Sequence, residues 1–336
     1  MKSLGIKRFR ICVAACVAIG ALLSVSAQSA GAVAGRTQQV ATFSIVGFDP
    51  ETGELGIAVA SKFLAVGSVV PWAEAEVGAI ATQAFANTTY GPEGLALLKQ
   101  GLGAQAVLDS LIAMDEGRDS RQAGIVDAHG GSATYTGADC IAWAGGKAGE
   151  NFACQGNILV DEGTVNAMAE TFQKTTGELA NRLLRALKAG EDAGGDSRGK
   201  ESAALLVVKK GGGYQGLNDR YIDLRVDDNP DPIMELQRLL SIQQAYESLS
   251  KAMSLREAGD LAGAICELEC ARDACPGMAY LHYDLACYYS LSGEKTKALQ
   301  ELEKALKLEP SYKQMALEDK DLEMIRGEAK FRIITE

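Results

Sequence analysis

Residues 40–61 read VATFSIVGFDPETGELGIAVAS. Thr42–Phe48 and Leu55–Ala60 are rich in β-branched and apolar side chains, and DPETGE between them supplies the Asp, Pro and Gly of a chain reversal. The pattern predicts a hairpin whose first strand opens on Thr42. A threonine at a strand start is ordinarily a matter of β-propensity. It can also be a nucleophile, if processing makes it the first residue of the mature chain.

Upstream of the hairpin the sequence reads as a secretory signal. Lys2, Lys7, Arg8 and Arg10 precede an apolar run from Ile11 to Val25, followed by small residues. The run is short for a spanning helix. Val25-Ser26-Ala27 and Ala32-Val33-Ala34 both fit the small-x-small cleavage rule. The second is preferred, which makes 1–34 the signal and 35–41, GRTQQVA, a short pre-segment. VAAC, Val13 to Cys16, has the look of a lipoprotein cleavage box, but the apolar run continues past it and argues against lipidation. No other segment is apolar enough to span a bilayer, so the expected location is periplasmic or secreted, with no membrane attachment after processing.

Composition narrows the function. The 336 residues give room for two domains, and a charged fraction of 23% with 47% hydrophobic residues is that of a globular protein. A net charge of −11 argues against nucleic acid and anionic lipid as partners. Of eight cysteines, two lie in the signal. Cys140 and Cys154 flank a turn and can pair in an oxidising compartment. Cys266, Cys270, Cys275 and Cys287 fall in helical sequence. Cys266 and Cys270 share a helix face, but no CxxC pair or histidine accompanies them, so buried free thiols are a simpler reading than zinc.

From Thr42 to Arg225 strand-like and helix-like segments alternate. Gly78–Ala84, Gln122–Asp127, Ser132–Thr136, Ala203–Lys209 and Tyr221–Val226 read as strands. Pro92–Gly101, Ala104–Met114, Val165–Thr175 and Leu179–Ala189 read as helices. Hairpins interrupted by helix pairs predict antiparallel sheets with helices packed outside, an α+β arrangement rather than a βαβ series. DNPDP, Asp228 to Pro232, breaks the pattern, and helical sequence follows. There Ala252/Ala286, Gly259/Gly293, Ala264/Ala298, Leu268/Leu302, Ala271/Ala305 and Pro276/Pro310 recur 34 residues apart, the tetratricopeptide period. Two such repeats plus a terminal helix are too few to stand alone. Residues 233–336 are therefore expected to lean on residues 42–232 or on a partner.

The chain has two histidines, His129 in a Gly-rich turn and His282 in a repeat helix, and no GxSxG elbow. GGGYQG, residues 211–216, lacks the lysine and hydroxyl residue of a phosphate loop. One hydrolytic chemistry needs no histidine. A terminal threonine carries its own base, an α-amine with a pKa of about 7.7–8.0.

TFSIVGFDPETGELGIAVAS, KFLAVGSVVPWAEAEVGAIATQAFANTTYGPEGLALL, WAGGKAGENFACQGNIL, RGKESAALLVV and GLNDRYIDLRVDDNPDPIMELQRLL together resemble the DUF1028 family, over roughly Thr42 to Leu240. The resemblance implies a four-layer αββα sandwich like that of the Ntn (N-terminal nucleophile) hydrolases, and supplies no substrate. In family members without a signal the matching threonine follows the initiator methionine. Here Thr42 follows Ala41, so exposure requires self-cleavage at Ala41–Thr42 or trimming by another protease.

On that basis Thr42 is the expected nucleophile, with Ser44 a rival hydroxyl on the same strand face. Lys62, at the end of the second strand, is a candidate for lowering a pKa beside it, or else a solvated strand-end lysine. Gln155, Gly156 and Asn157 form a polar stretch that can bind an oxyanion or make a tight turn. Thr82, Gln83 and Asn87 make a similar insertion. Arg198 can clamp a substrate carboxylate or sit exposed in its loop. Asp223, Asp227 and Asp228 can hold a cation or serve as strand-edge charges. The leading expectation is an exported amidohydrolase acting on a small amide or peptide, with no metal or organic cofactor. Its tetratricopeptide-like repeats would recruit a protein partner or promote self-association. The alternative is a non-catalytic Ntn-like binding module acting as an exported adaptor.

Overall fold

The computed structural model describes residues 42–336. The expected signal, its cleavage points and the 35–41 pre-segment lie outside these residues. The predicted hairpin is present. β1 (Thr42–Phe48) pairs antiparallel with β2 (Leu55–Ser61), in register from Phe48↔Leu55 at the turn to Thr42↔Ser61 at the far end. β2 extends one residue past the expected Ala60, and that residue faces Thr42.

β3 (Pro71–Glu74) and β4 (Gly78–Ala84) follow, then α1 (Tyr90–Lys99), α2 (Ala104–Met114), β5 (Arg121–Asp127) and β6 (Ser132–Thr136). The β5–β6 turn is the expected one at His129–Gly131. Both the His129 and Gly131 N–H groups donate to Asp127 Oδ1 at 2.9 Å, and Gly130 takes φ +86°. β7 (Gly145–Gly149) and β8 (Phe152–Asn157) make a further hairpin. The stretch Gln155–Asn157 is therefore strand, not turn, and all of β8 is buried. Next come α3 (Gly163–Lys174), α4 (Leu179–Asp192), β9 (Ser202–Val208) and β10 (Arg220–Val226).

The strands form two antiparallel sheets, one ordered β10-β9-β2-β1-β8-β7 and the other β3-β4-β5-β6. Strand alternation divides the larger sheet into two faces. Phe43, Ile45, Ala58, Ala60, Cys154, Ala203, Leu205 and Val207 pack against Met168 and Phe172 of α3 and Leu183, Leu184 and Leu187 of α4. On the other face Val46, Ile57, Val59 and Leu206 meet Ala79, Ala81 and Val126 of the smaller sheet. Ile80, Ala123, Ile125 and Ala133 on that sheet's far side pack on α1 and α2. With both faces covered, β1, β2, β4 and β9 are buried at every residue.

α4 seats closely because Gly47 and Gly56 are register partners beneath it. A Cβ on Gly56 would lie 2.7 Å from Leu183 Cδ1 and 3.0 Å from the Leu206 carbonyl oxygen.

α5 (Pro232–Glu257) starts with a proline in its first turn, where the missing N–H costs nothing. Its Ile233, Leu236 and Leu240 join the core beneath α4, whereas Ala245 and Ala252 join a second core. That second core is completed by α6 (Leu261–Ala274), α7 (Ala279–Leu291), α8 (Lys295–Leu308), α9 (Tyr312–Glu318), α10 (Glu323–Arg326) and α11 (Ala329–Thr335). The expected division at residues 232/233 thus falls in the first turn of a helix that serves both cores. Positions spaced at the 34-residue period take equivalent places. Ala264/Ala298, Leu268/Leu302 and Ala271/Ala305 are buried in the second core, and Gly259 and Gly293 end α5 and α7 at φ +86° and +82°. His282 is buried there, with Nδ1 2.5 Å from Glu301 and Nε2 2.9 Å from the Pro276 carbonyl. Among the described residues no helix is long and apolar enough to cross a membrane.

The six described cysteines are all unbridged. Cys140 and Cys154 do not pair, because they belong to different surroundings. The Cys140 thiol donates to the Arg121 carbonyl beside the smaller sheet, while Cys154 is buried against α3 and α4. Cys275 and Cys287 are buried as expected, but Cys266 and Cys270 are exposed.

Candidate functional site

The face between the two sheets is apolar over most of its length and polar at one end. Residues directly opposite in a ladder project their side chains to the same side. Ser202, Ser61, Thr42 and Asn157 are successive register partners across β9, β2, β1 and β8, so they form one row facing the smaller sheet. Ser44 and Gln155 are partners in the next row, and Val46 and Ala153, in the row after that, are apolar. In the smaller sheet Gln83, Gln122 and Thr136 are partners in one row, with Ala81, Gly124 and Thr134 in the next.

Stacked sheets lie about 10 Å apart, so a long side chain needs a short one opposite. Gln83 reaches Ser44, whose hydroxyl donates to Gln83 Oε1 at 2.6 Å. Gln155 lies over Gly124, and a Cβ there would fall 2.0 Å from Gln155 Oε1. From that position Gln155 Nε2 donates to Ser44 Oγ at 2.7 Å.

Gln122 is the hub. Its Nε2 donates to Gly156 O at 2.7 Å, Thr136 Oγ1 at 2.8 Å and Gly145 O at 3.2 Å. Its Oε1 accepts from Gln83 Nε2 at 2.8 Å and Asn157 Nδ2 at 2.9 Å. Gln83 Nε2 also donates to the Thr42 carbonyl at 3.2 Å. Thr42, Ser44, Gln83, Gln122, Gln155 and Asn157 are each fully buried. At such depth a polar group without a partner costs about 1–3 kcal/mol, which explains the density of the network. One atom stands outside it, since Asn157 Oδ1 has no partner among the described residues.

Thr42 Oγ1 donates to Ser61 Oγ at 3.2 Å. The two amides nearest the strand ends are held by strained backbone. Ala84 follows Gln83 at φ 66°, and Ile158 follows Asn157 at φ 54°. A left-handed β-branched residue is rare, and such conformations persist only where the surroundings enforce them. Here the Ser197 N–H and hydroxyl both donate to the Ile158 carbonyl, at 3.0 and 2.8 Å.

The other candidate residues lie around this cluster rather than in it. Lys62 follows Ser61, so alternation turns its side chain to the opposite face. Its ammonium donates to the Lys200 carbonyl at 3.3 Å and lies 3.5 Å from Glu201. The Thr42 hydroxyl donates to Ser61, not to Lys62. Arg198 clamps a carboxylate in two places, but the carboxylate is Asp196, at 3.1 and 2.9 Å. Asp196 also accepts from the Lys62 N–H at 3.0 Å, which ties this loop to the end of β2.

Thr82 points away from Gln83, and its hydroxyl donates to the Asn87 carbonyl at 3.1 Å. Asn87 in turn donates to Asp115 at 3.1 Å. Burial alone would raise the Asp115 carboxyl. Hydrogen bonds from Arg121, Asn87, the Gly117 N–H and Tyr90 outweigh it and hold the group well below the usual range. This second polar node borders a cleft of about 510 Å³ between α1 and α2, on the far side of the smaller sheet from Thr42. Gly156 contributes its carbonyl to Gln122. Asp223 is ion-paired with Arg220 and Arg225, at 2.7 and 3.0 Å.

The sequence pattern does not single out Ser61, Gln122 or Thr136. Ser61 is recoverable by counting outward from the turn, since Phe48↔Leu55 implies Thr42↔Ser61. Gln122 carries no comparable signal, because its role depends on the opposite sheet.

Comparison with known proteins bears on the first 195 of the described residues. The family described as "Family of unknown function (DUF1028)" matches residues 42–236, a match that begins on Thr42. The crystal structure of protein SPO2555 from Silicibacter pomeroyi, of the same family, is similar at 34% identity and a TM-score of 0.55. The similarity covers 60% of this chain and 84% of that one. A search of curated proteins found no match.

Proposed function

The chain belongs to the DUF1028 family, a family of unknown function, and from that premise we propose that it is an exported amidohydrolase with Thr42 as its nucleophile. In this reading residues 42–232 are a four-layer αββα sandwich of the Ntn-hydrolase type. Residues 233–336 are a tetratricopeptide-like module that recruits a protein partner or a second copy. The observation that carries the reading is the placement of the Thr42 hydroxyl. It lies at the polar end of the space between the sheets, 3.2 Å from the Ser61 hydroxyl.

The chemistry begins with release of the amine. Thr42 Oγ1 attacks the Ala41 carbonyl carbon. The C–N bond breaks, nitrogen takes its electron pair and the hydroxyl proton, and the upstream chain is left as an ester on Oγ1. Water hydrolyses that ester, giving the Ala41 carboxylate and a free hydroxyl beside its own amine. In turnover the amine takes the hydroxyl proton as Oγ1 adds to a substrate amide carbonyl. The leaving amine collects that proton, and a second water opens the acyl ester. A positioned base of this kind contributes about 10²–10⁴-fold. These steps need no metal or organic cofactor.

A second reading is a non-catalytic Ntn-like module acting as a periplasmic or secreted adaptor. It is favoured by the complete burial of Thr42 and by the 41 residues that precede it in the sequence. N-terminal sequencing and intact mass of the exported protein separate the two. A start at Thr42, with hydrolysis of an amide panel lost in Thr42→Ala, supports the enzyme. A uniform start at Gln28 or Gly35 overturns it in favour of the adaptor.

A further inference from the structure

Asn157 is buried, directly opposite Thr42 in the β1–β8 register, and its Oδ1 has no hydrogen-bond partner among the described residues. We propose that this oxygen receives the α-amine of Thr42 once that amine is liberated, and so orients the base toward the Thr42 hydroxyl. The proposal rests on the nucleophile reading above and assigns Asn157 as a positioning residue for it.

The orientation of the amide is not a free choice. Gln122 Nε2 faces three oxygens, those of Gly156, Thr136 and Gly145, which fixes Gln122 Oε1 toward Asn157 and Gln83. Asn157 must then present Nδ2 to Gln122 Oε1, at 2.9 Å. Flipping it would set oxygen against oxygen and leave the amide nitrogen where the orphan now is. The strand end is equally pinned. Ile158, at φ 54°, donates its N–H to the Ile141 carbonyl at 3.0 Å, and its own carbonyl is held by Ser197. Asn157 therefore cannot turn away to find a donor elsewhere.

Cleavage supplies the missing donor. The peptide nitrogen of Thr42 carries one N–H while Ala41 is attached. The free amine carries two, or three when protonated. The new donors arise on the residue paired with Asn157, on the strand beside it. An acceptor left over in the uncut chain and a donor left over in the cut chain are thus complementary. A carbonyl acceptor stabilises the protonated amine without the full charge of a carboxylate, so it holds the amine without locking it in the ammonium form.

The test uses a chain that begins at Thr42, released by a site-specific protease from an N-terminal fusion. Such a chain keeps every residue of the four hydrophobic cores, which start at Phe43. The pKa of the Thr42 amine is read from the pH dependence of its acylation by acetic anhydride, followed by mass spectrometry. Asn157→Ala is expected to lower the proton affinity of the amine on the order of tenfold, and Asn157→Asp to raise it by at least as much. A merely structural role would leave the amine titration unchanged. Thermal melting identifies an Asn157→Ala protein that fails to fold, in which case Asn157→Leu, which removes the same oxygen, keeps the volume and adds no charge, carries the test. Equal amine titration in the folded variants and the wild type would overturn the proposal. The readout needs no turnover. An inactive amide panel with shifted amines therefore sinks the hydrolase and spares Asn157, whereas activity with unshifted amines does the reverse.

Discussion

The hydroxyl of Thr42 lies 3.2 Å from that of Ser61, across the far end of the first hairpin. Around the pair the inter-sheet space is lined by amides instead of carboxylates or imidazoles. Thr42→Ala is therefore expected to leave the Ala41–Thr42 bond intact, seen as full-length pre-segment in the mass of the exported protein. Ser61→Ala removes the hydrogen bond to Thr42, worth about 1 kcal/mol, and should slow cleavage or turnover by about five- to tenfold. Normal processing of Thr42→Ala would assign the cut to another protease, and loss or retention of amide hydrolysis in that variant would then decide the role of Thr42 in turnover.

Gly124 makes room for Gln155. Gly124→Ala places a methyl group 2.0 Å from Gln155 Oε1 and should destabilise the protein by about 1–3 kcal/mol, measured by urea unfolding. Gly277→Ala, with nothing within 4 Å, is the matched control and should change stability by less than about 0.5 kcal/mol. Equal effects from the two would mean that Gln155 is not held where the structure puts it.

Gln122→Leu keeps most of the volume of the hub and deletes its hydrogen bonds. Gln83, Asn157 and the Gly156 carbonyl would lose partners while buried, at a cost of about 3 kcal/mol or more. Gln100→Leu, on an exposed residue of α1's C-terminal end, should be near neutral in the same unfolding assay.

Burial pushes the Asp284 carboxyl from 3.8 up to about 6, the Asp319 carboxylate adds repulsion, and Arg256 pulls the other way. A folded-state value above the unfolded one means that the native state holds the proton more tightly. The cost to stability is therefore absent below about pH 4, grows as pH rises from there, and is fully present above about pH 6. Asp284→Asn should stabilise the protein by about 2 kcal/mol at neutral pH and leave it unchanged in acid. Denaturant midpoints at the two pH values give the comparison, and a pH-independent difference would contradict it.

Cys266 and Cys270 are exposed one turn apart on α6, whereas Cys154, Cys275 and Cys287 are buried. Maleimide on the native protein should label the exposed pair first. Mild oxidation should give cross-linked dimers, because Cβ atoms four residues apart on a helix lie about 5–6 Å from each other, beyond the ~3.8 Å of a disulfide. Non-reducing electrophoresis distinguishes dimers from an intrachain bridge.

Much of the architecture is legible along the chain because it is local. The hairpin at residues 42–61 follows from its turn residues and β-branched runs, and its register can be counted outward from the turn to Thr42 and Ser61. The helices follow from their periodicity and caps. The equivalence of Gly259 with Gly293 and of Ala264 with Ala298 follows from one 34-residue spacing. Short, glycine-rich β7 left little pattern to find, and Gln155–Asn157 reads as an oxyanion-binding stretch or a tight turn and not as strand, because polar residues in a strand are legible only when the opposite face is known.

What the sequence by itself determined is which residues form each element and which of them alternate to the same side. Only the tertiary structure decided that Gln83 would meet Ser44 from 39 residues away, that Gln155 would reach it across 111, and that Lys62 would turn outward to Lys200 and Glu201. The physical reason is the range of the information. Alternation and capping act over a few residues and leave their mark in order along the chain. The partner of a buried amide is chosen by how two sheets stack, and it can be any polar group that the packing brings within 3 Å.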